Sequence, residues 1–179
     1  VVVAITGFAG AGKSTLTRTL VEAVPDSTRL RGDDFLDPTR SHLRSGDWDG
    51  VERSRMRTEV IEPFGLGGPV SYRPFDWSKR ELGPPVRLPD VSVLIVDAIG
   101  LLHPELDGCF DLTVWVDVEL EVAAVQGRER DRRAGRDHDT LWDEVWVPND
   151  RDFAAAYEPA SNVDLKISPG LGHGERLRG

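Results

Sequence analysis

The order of apolar and polar stretches along the chain predicts strands that alternate with helices. Short apolar stretches predict buried strands over residues 1–5, 28–31, 91–96, 112–116 and 163–167. The strand signal is weakest at 28–31. Apolar positions at helical spacing indicate helices over residues 14–24, 51–61 and 119–134, with another between 139 and 157. Strands separated by helices are typical of a parallel sheet covered on both faces. We therefore expect an α/β domain with a five-stranded, mostly parallel sheet.

The remaining stretches have no clear period. Residues 36–50 are polar and loop-like, and Pro63 with the glycines after it should end the helix that starts at residue 51. Residues 69–89 are rich in proline and aromatic residues, which predicts an excursion from the core without regular structure. We predict one domain over residues 1–168, an acceptor-side excursion within it over 36–89, and a loose C-terminal tail over 169–179.

Composition limits the classes of partner. The chain of 179 residues is 39% apolar and 30% charged, which is too apolar for a disordered protein. Its formal net charge of -9 should repel nucleic acid and anionic membranes, so we expect neither as a partner. The single cysteine, Cys109, excludes an internal disulfide and a cysteine metal cluster, which fits a cytoplasmic location. The composition leaves the oligomeric state open and is compatible with a homo-oligomer.

The most specific motif lies between the first predicted strand and the first predicted helix. Residues 7–14 read GFAGAGKS and match the phosphate-binding pattern G-x-x-x-x-G-K-[ST]. Glycines let backbone amides surround a phosphate, and the N-terminus of the following helix favours an anion. Lys13 should reach the β- and γ-phosphates, and the Ser14 hydroxyl should coordinate Mg²⁺. We predict ATP and Mg²⁺ as cofactors and a nucleotide-binding set of Gly7, Phe8, Ala9, Gly10, Ala11, Gly12, Lys13, Ser14 and Thr15.

Two acidic positions follow predicted strands and suit phosphoryl transfer. Asp97 ends the apolar run 91–96, where a second magnesium ligand is expected, although a strand-terminal aspartate also caps turns. Asp33 and Asp34 follow the second predicted strand, and one of them is a candidate to accept the proton of an acceptor hydroxyl. The alternative is a turn aspartate that bonds to its own backbone.

These motifs occur in an order that resembles the uridine kinase-like branch of P-loop kinases, which includes phosphoribulokinase and bacterial pantothenate kinase. The residues that carry the resemblance are the GFAGAGKS loop, Asp33-Asp34-Phe35, Pro69 to Tyr72 with Arg80, Val96 to Ile99, and the arginines after Val118. The resemblance implies a P-loop NTPase fold of three α/β/α layers with a small arginine-rich lid.

The resemblance also implies roles for residues on the acceptor side. It makes Asp33 the catalytic base, gives Asp49 a role in binding paired sugar hydroxyls, and lets Tyr72 and Arg80 frame the acceptor. Trp77 should stack on a flat acceptor, unless it only packs the excursion. Two departures are visible: this chain has Asp97-Ala98 where the family often has glutamate, and Phe75-Asp76-Trp77 where the uridine-reading segment has a histidine.

The arginine-rich segment over residues 127–137 is the predicted lid. Arg128 and Arg132 share a helix face and are our candidates for stabilising the moving phosphoryl group. The alternative is a solvated helix face with exposed ion pairs, each of which contributes little.

The predicted function is an ATP-dependent kinase that phosphorylates a hydroxyl of a small molecule, with a nucleoside as the first candidate. Pantothenate, a sugar phosphate and glycerate are the other candidate acceptors. A nucleotide-dependent switch or assembly ATPase without an acceptor is the alternative of a different class. A guanine-reading N-K-x-D motif is missing, since neither Asn149-Asp150 nor Asn162-Val163-Asp164 contains the lysine.

Overall fold

The computed structural model describes residues 1–169 and contains the predicted five-stranded sheet. The strands of this sheet are β1 (Val2–Thr6), β2 (Ser27–Arg31), β7 (Val93–Asp97), β8 (Leu112–Val116) and β9 (Leu165–Ile167). They lie in the order β2-β7-β1-β8-β9, and all their pairings are parallel. Their bounds differ from the predicted ones by at most two residues. The predicted tail lies outside the described residues apart from Pro169.

Helices cover both faces of the sheet. They are α1 (Lys13–Ala23), α2 (residues 53–65), α3 (Leu120–Arg133) and α4 (residues 139–157). Successive residues of the central strands point to opposite faces, so Ala4 and Val96 enter a larger apolar core while Ile5 and Ile95 enter a smaller one. The three-layer α/β/α prediction is confirmed. In the part of the chain that the structure describes, no helix is long and apolar enough to cross a membrane.

The second helix starts two residues later and ends four residues later than predicted, at the first of the glycines that should stop it. Helix α2 continues through Pro63 and ends at Gly65. A π-helical turn, Arg57–Ile61, separates an α-helical start, Arg53–Met56, from the final stretch, Glu62–Gly65. Pro63 lies in the first turn of that final stretch, where a missing backbone N–H is tolerated because the wider π turn has already changed the hydrogen-bonding register.

The prediction that residues 69–89 lack regular structure is wrong. Two short antiparallel pairs join β3 (Ser71–Tyr72) to β6 (Val86–Arg87), and β4 (Phe75–Asp76) to β5 (Glu81–Leu82). The buried rings of Tyr72 and Phe75 anchor the two pairs to the protein. The prolines of this stretch keep each pair to two residues per strand because proline cannot donate to a ladder.

The C-terminal ends of three neighbouring strands meet at one edge of the sheet. Asp97 at the end of β7 is in register with Ile5 of β1 on one side and with Arg31 of β2 on the other. The loop 7–12 leaves β1 at this edge, and a 3₁₀ turn, Gly32–Phe35, leaves β2. In open α/β sheets this edge is where ligands bind.

Candidate phosphate and acceptor site

The loop between β1 and α1 follows a path that requires glycine. Gly10 has a φ of 85°, and a Cβ atom added to it would lie 2.1 Å from the carbonyl oxygen of Ala123 on α3. Gly12, with a φ of 96°, also has a left-handed backbone, but a Cβ there would meet nothing within 4 Å. The loop is therefore pressed against α3 at Gly10 and open at Gly12, on the side where helix α1 begins.

Lys13 lies inside this loop. Its Nζ atom donates to the carbonyl oxygens of Gly7 at 2.9 Å and Phe8 at 2.8 Å. Burial lowers the pKa of Lys13, while the negative charges of Asp150, Asp97 and Asp33 act in the opposite direction. The ammonium group is thus held inside the glycine loop by two backbone carbonyls.

The two predicted metal ligands lie together at the start of α1. The Ser14 hydroxyl donates to Oδ2 of Asp97 over 2.7 Å. These hard oxygen atoms suit Mg²⁺, which in such sites usually takes one or two protein ligands and fills its shell with water and phosphate oxygens. Within residues 1–169 there is no cluster of three or more histidine, cysteine, aspartate or glutamate side chains that would hold a metal without a phosphate.

Asp33 and Asp34 occupy different environments on the 3₁₀ turn after β2. The Asp34 carboxylate is buried and accepts a hydrogen bond from the Tyr72 hydroxyl at 3.0 Å, and burial raises its pKa. The Asp33 side chain is 67% exposed. Arg31 lies 3.9 Å from both carboxylates. Of the two acids, Asp33 is the one that a molecule arriving from solvent can reach.

The predicted acceptor residues fall into two groups. Asp49 is half exposed, lies 3.6 Å from the Arg40 guanidinium, and borders a cavity of about 280 Å³ next to α2. Trp77 and Arg80 are exposed on the excursion, with the Trp77 ring 6.2 Å from that of His42. Tyr72 is buried against the turn that carries Asp33 and Asp34. The roles of these residues in binding an acceptor stay predictions.

The arginines of the predicted lid differ in their surroundings. Arg128 pairs with Asp143 at 2.5 Å and Arg132 with Asp139 at 2.7 Å, so both reach toward α4. Arg130, by contrast, pairs at 2.9 Å with the buried Asp131 of its own helix, and its side chain is mostly exposed. A phosphate contact by Arg128 or Arg132 remains a prediction, and it would require each to leave its present partner.

Comparison with known proteins finds a kinase of related sequence. No protein-family model matches the chain. Uridine-cytidine kinase C of Dictyostelium discoideum is 25% identical over 147 residues, which make up 79% of this chain and 32% of that protein. The chain therefore spans about a third of the length of the curated relative that it matches.

Two solved structures superpose on nearly the whole chain. A candidate uridine kinase from Bacillus stearothermophilus superposes with a TM-score of 0.71 at 14% identity, over 94% of this chain and 88% of that one. A candidate fructose transport system kinase from Silicibacter sp. TM1040 superposes with a TM-score of 0.72 at 22% identity, over 93% and 88%. The chain has a P-loop kinase fold. It resembles the uridine kinase-like branch, as its motifs predict.

Sequence reasoning missed Arg29, a second partner of Asp97 in this kinase fold. The Arg29 guanidinium donates from Nε to Oδ1 of Asp97 at 2.5 Å and from Nη2 to Oδ2 at 2.7 Å. Arg29 and Asp97 lie on neighbouring strands, so the pair follows from the alignment of β2 with β7. The only signal in the sequence is an arginine inside a short predicted strand.

Sequence reasoning also missed Asp150 on α4. This carboxylate is only 5% exposed, and it accepts hydrogen bonds from the Ala9 backbone N–H and the Trp48 indole N–H. Burial raises the pKa of Asp150 to about 6. A signal was present, because Trp146, Asp150 and Phe153 have the spacing of one helix face, and an acid within such an apolar stripe calls for buried partners.

Proposed function

We propose that the chain transfers the terminal phosphate of ATP to a hydroxyl of a small molecule, and that this acceptor is a nucleoside. The observation that carries the proposal is the meeting of three chemical groups at the ends of β1, β7 and β2. These groups are the Lys13 ammonium inside the glycine loop, the Ser14–Asp97 pair, and the open Asp33 carboxylate.

Each group has a task in this reaction. The loop amides and Lys13 bind and orient the phosphates of ATP. Ser14 and Asp97 would hold Mg²⁺, and the ion would supply charge neutralisation to the transferring phosphate. Asp33 orients the acceptor hydroxyl and takes up its proton. Because phosphoryl transfer needs little covalent help from the protein, alignment by these groups accounts for most of the effect.

The charge of the cavity beside Asp49 supports a neutral acceptor over a phosphorylated one. Its lining carries four carboxylates and three guanidinium groups: Asp47, Asp49, Glu52 and Glu105 with Arg40, Arg53 and Arg55. The arginines already have acidic partners within 4.0 Å. A dianionic sugar phosphate would have to compete with those partners, whereas a neutral molecule with several hydroxyls would meet acceptor oxygens directly. The name of the uridine-cytidine kinase relative agrees with this choice.

A Lys13→Ala variant tests the proposed reaction. Turnover with Mg-ATP and an acceptor should fall by at least about a hundredfold, because one preorganised cation at a transferring phosphate has an effect of this order. Lys166→Ala, at an exposed position on β9, is the matched control and should keep wild-type turnover. Circular dichroism of both variants should show an unchanged fold. Turnover near the wild-type value in Lys13→Ala would contradict the role given to the loop.

The switch alternative makes a different prediction for ATP hydrolysis. A kinase that waits for its acceptor should release ADP slowly until the acceptor is added. A switch or assembly ATPase should hydrolyse at the same rate with and without it. Measuring ADP release with and without each nucleoside separates the two.

A further inference from the structure

Asp150 joins two segments that lie far apart in the sequence. Its Oδ2 atom accepts from the backbone N–H of Ala9, within the phosphate loop, at 2.7 Å. Its Oδ1 atom accepts from the indole N–H of Trp48, on the acceptor side, at 3.0 Å. Hydrogen bonds to a buried carboxylate are stronger than those between neutral groups. Both segments are therefore fixed to the same side chain of α4.

Trp48 belongs to the segment 43–51, which α4 also holds through two neighbouring residues. The side chain of Asn149 donates to the carbonyl of Leu43 at 3.1 Å and accepts from Arg44 at 2.6 Å. Arg44 also forms an ion pair with Asp152. Among these contacts of α4 with the segment, only that of Asp150 continues into the phosphate loop.

The backbone of Trp48 requires such support. Its φ is 57°, a left-handed conformation that bulky residues rarely adopt. The Trp48 carbonyl accepts hydrogen bonds from the Arg53 guanidinium and the Val51 amide, and its ring is buried. Conformations of this kind persist only where the surrounding contacts hold them, and they cluster at functional sites.

We propose that Asp150 is a positioning residue that couples the phosphate loop to the segment 43–51, with one carboxylate oxygen bonded to each. Ala9 lies in the loop that binds the nucleotide, and Asp49 of the segment borders the acceptor cavity. A displacement of either segment weakens the bond that Asp150 makes to the other segment. Binding of a ligand at one segment therefore changes the affinity of the other segment for its ligand, and the effect is reciprocal. The link is a property of the fold, whereas its use in coordinating two substrates rests on the proposed function.

The backbone amide of Ala9 reports on the link directly, because its hydrogen-bond partner is the Asp150 side chain. Trp48→Phe removes the indole donor at the other end. We expect amide exchange at Ala9, followed by ¹⁵N NMR without nucleotide, to rise about three- to tenfold, the effect of weakening one hydrogen bond to a charged group. The amide of Ile5 in β1 serves as the reference for general loosening and should not change.

Asp152→Asn is the matched control. It removes the charge of the half-exposed ion pair with Arg44, while Asn149 still bonds to Arg44 and Leu43, so the segment and the Trp48 indole should keep their place on Asp150. Ala9 exchange in this variant should equal that of the wild type. If Trp48→Phe leaves Ala9 exchange at the wild-type rate, the coupling is refuted, and Asp150 only anchors the phosphate loop.

Asp150→Asn decides the question if Trp48→Phe does not fold. The amide side chain has one acceptor oxygen where the carboxylate has two, so either the Ala9 amide or the Trp48 indole loses its partner. Coupling predicts that ADP shifts the Trp48 indole resonance in the wild type and not in this variant. An equal shift in both proteins overturns the proposal. If ADP moves no resonance of the phosphate loop in the wild type, the proposed function fails, while exchange without nucleotide still decides the coupling.

Discussion

Replacing Arg29 with methionine tests the electrostatic arrangement at the end of β7. In the wild type, Asp97 is buried and its two oxygens accept from Arg29, with Ser14 as a further donor. Methionine keeps much of the length and apolar surface of the arginine stem but removes the guanidinium. The variant therefore leaves a buried carboxylate with one neutral hydrogen-bond donor in place of a bidentate cation.

The structure sets the size of the effect. Removing one partner of a fully buried ion pair lowers the free energy of unfolding by about 3–5 kcal/mol. The Arg29 side chain is 20% exposed, so water already screens part of this interaction. We therefore expect Arg29→Met to destabilise the protein by about 2–3 kcal/mol at neutral pH.

Urea unfolding of four proteins measures this effect and isolates the pair. The set comprises the wild type, Arg29→Met, Asp97→Asn and the double variant, compared at one pH without nucleotide. The double variant should recover more than about 1 kcal/mol relative to the sum of the single changes, because it removes the stranded charge together with its partner.

Arg31→Met is the matched control for the Arg29 experiment. Arg31 lies on the same strand, its side chain is 51% exposed, and its acidic partners are 3.9 Å away. This substitution should change the free energy of unfolding by no more than about 0.5 kcal/mol. Equal effects of the two arginine variants, or additive effects in the four-protein set, would refute the importance given to the Arg29–Asp97 pair.

Two further predictions concern the phosphate loop and Asp150. Gly10→Ala and Gly12→Ala both place alanine at a left-handed position, but only the alanine at position 10 meets the backbone of Ala123. Urea unfolding should therefore show Gly10→Ala to be less stable than Gly12→Ala by about 1–3 kcal/mol, and equal stabilities of the two variants would contradict this packing. Folded Asp150 keeps its proton up to about pH 6 and unfolded Asp150 loses it near 3.8, so the folded state binds more protons in between and the wild type loses stability as pH rises through this window. Relative to Asp150→Asn, the loss between pH 4 and pH 7 should be about 2 kcal/mol, and a constant difference over that range would count against a buried carboxylate.

The sequence predicts those parts of the site whose residues lie close together along the chain. The strand, glycine loop and helix around Lys13 follow from neighbouring residues, and Asp97 could be assigned because it ends a strongly apolar run. The sequence could not show that Arg29 meets Asp97, because that contact depends on which strands are neighbours in the sheet. The helix-face spacing indicates that Asp150 is a buried acid, but its partners could not be identified for the same reason, since 141 residues separate it from Ala9.

Errors in the predicted elements have a local cause. Pro63 and the glycines after it predict a helix end after residue 61, but the π turn before Pro63 lets α2 continue to Gly65. The prolines of the stretch 69–89 break every hydrophobic period and so predict irregular structure, although two-residue strands fit between them. In both places the backbone uses a short arrangement that leaves little trace in hydrophobic periodicity.

The most direct test of the proposed reaction is ADP release by the purified protein with Mg-ATP and a panel of acceptors, run beside Asp33→Asn. The panel contains nucleosides, pantothenate, glycerate and sugar phosphates. The account predicts release that is slow with ATP alone, is stimulated by a nucleoside, and is lost in Asp33→Asn. Stimulation by a sugar phosphate but by no nucleoside would contradict the proposed acceptor. Release that no acceptor changes, with ATP still bound, would contradict the phosphotransferase itself.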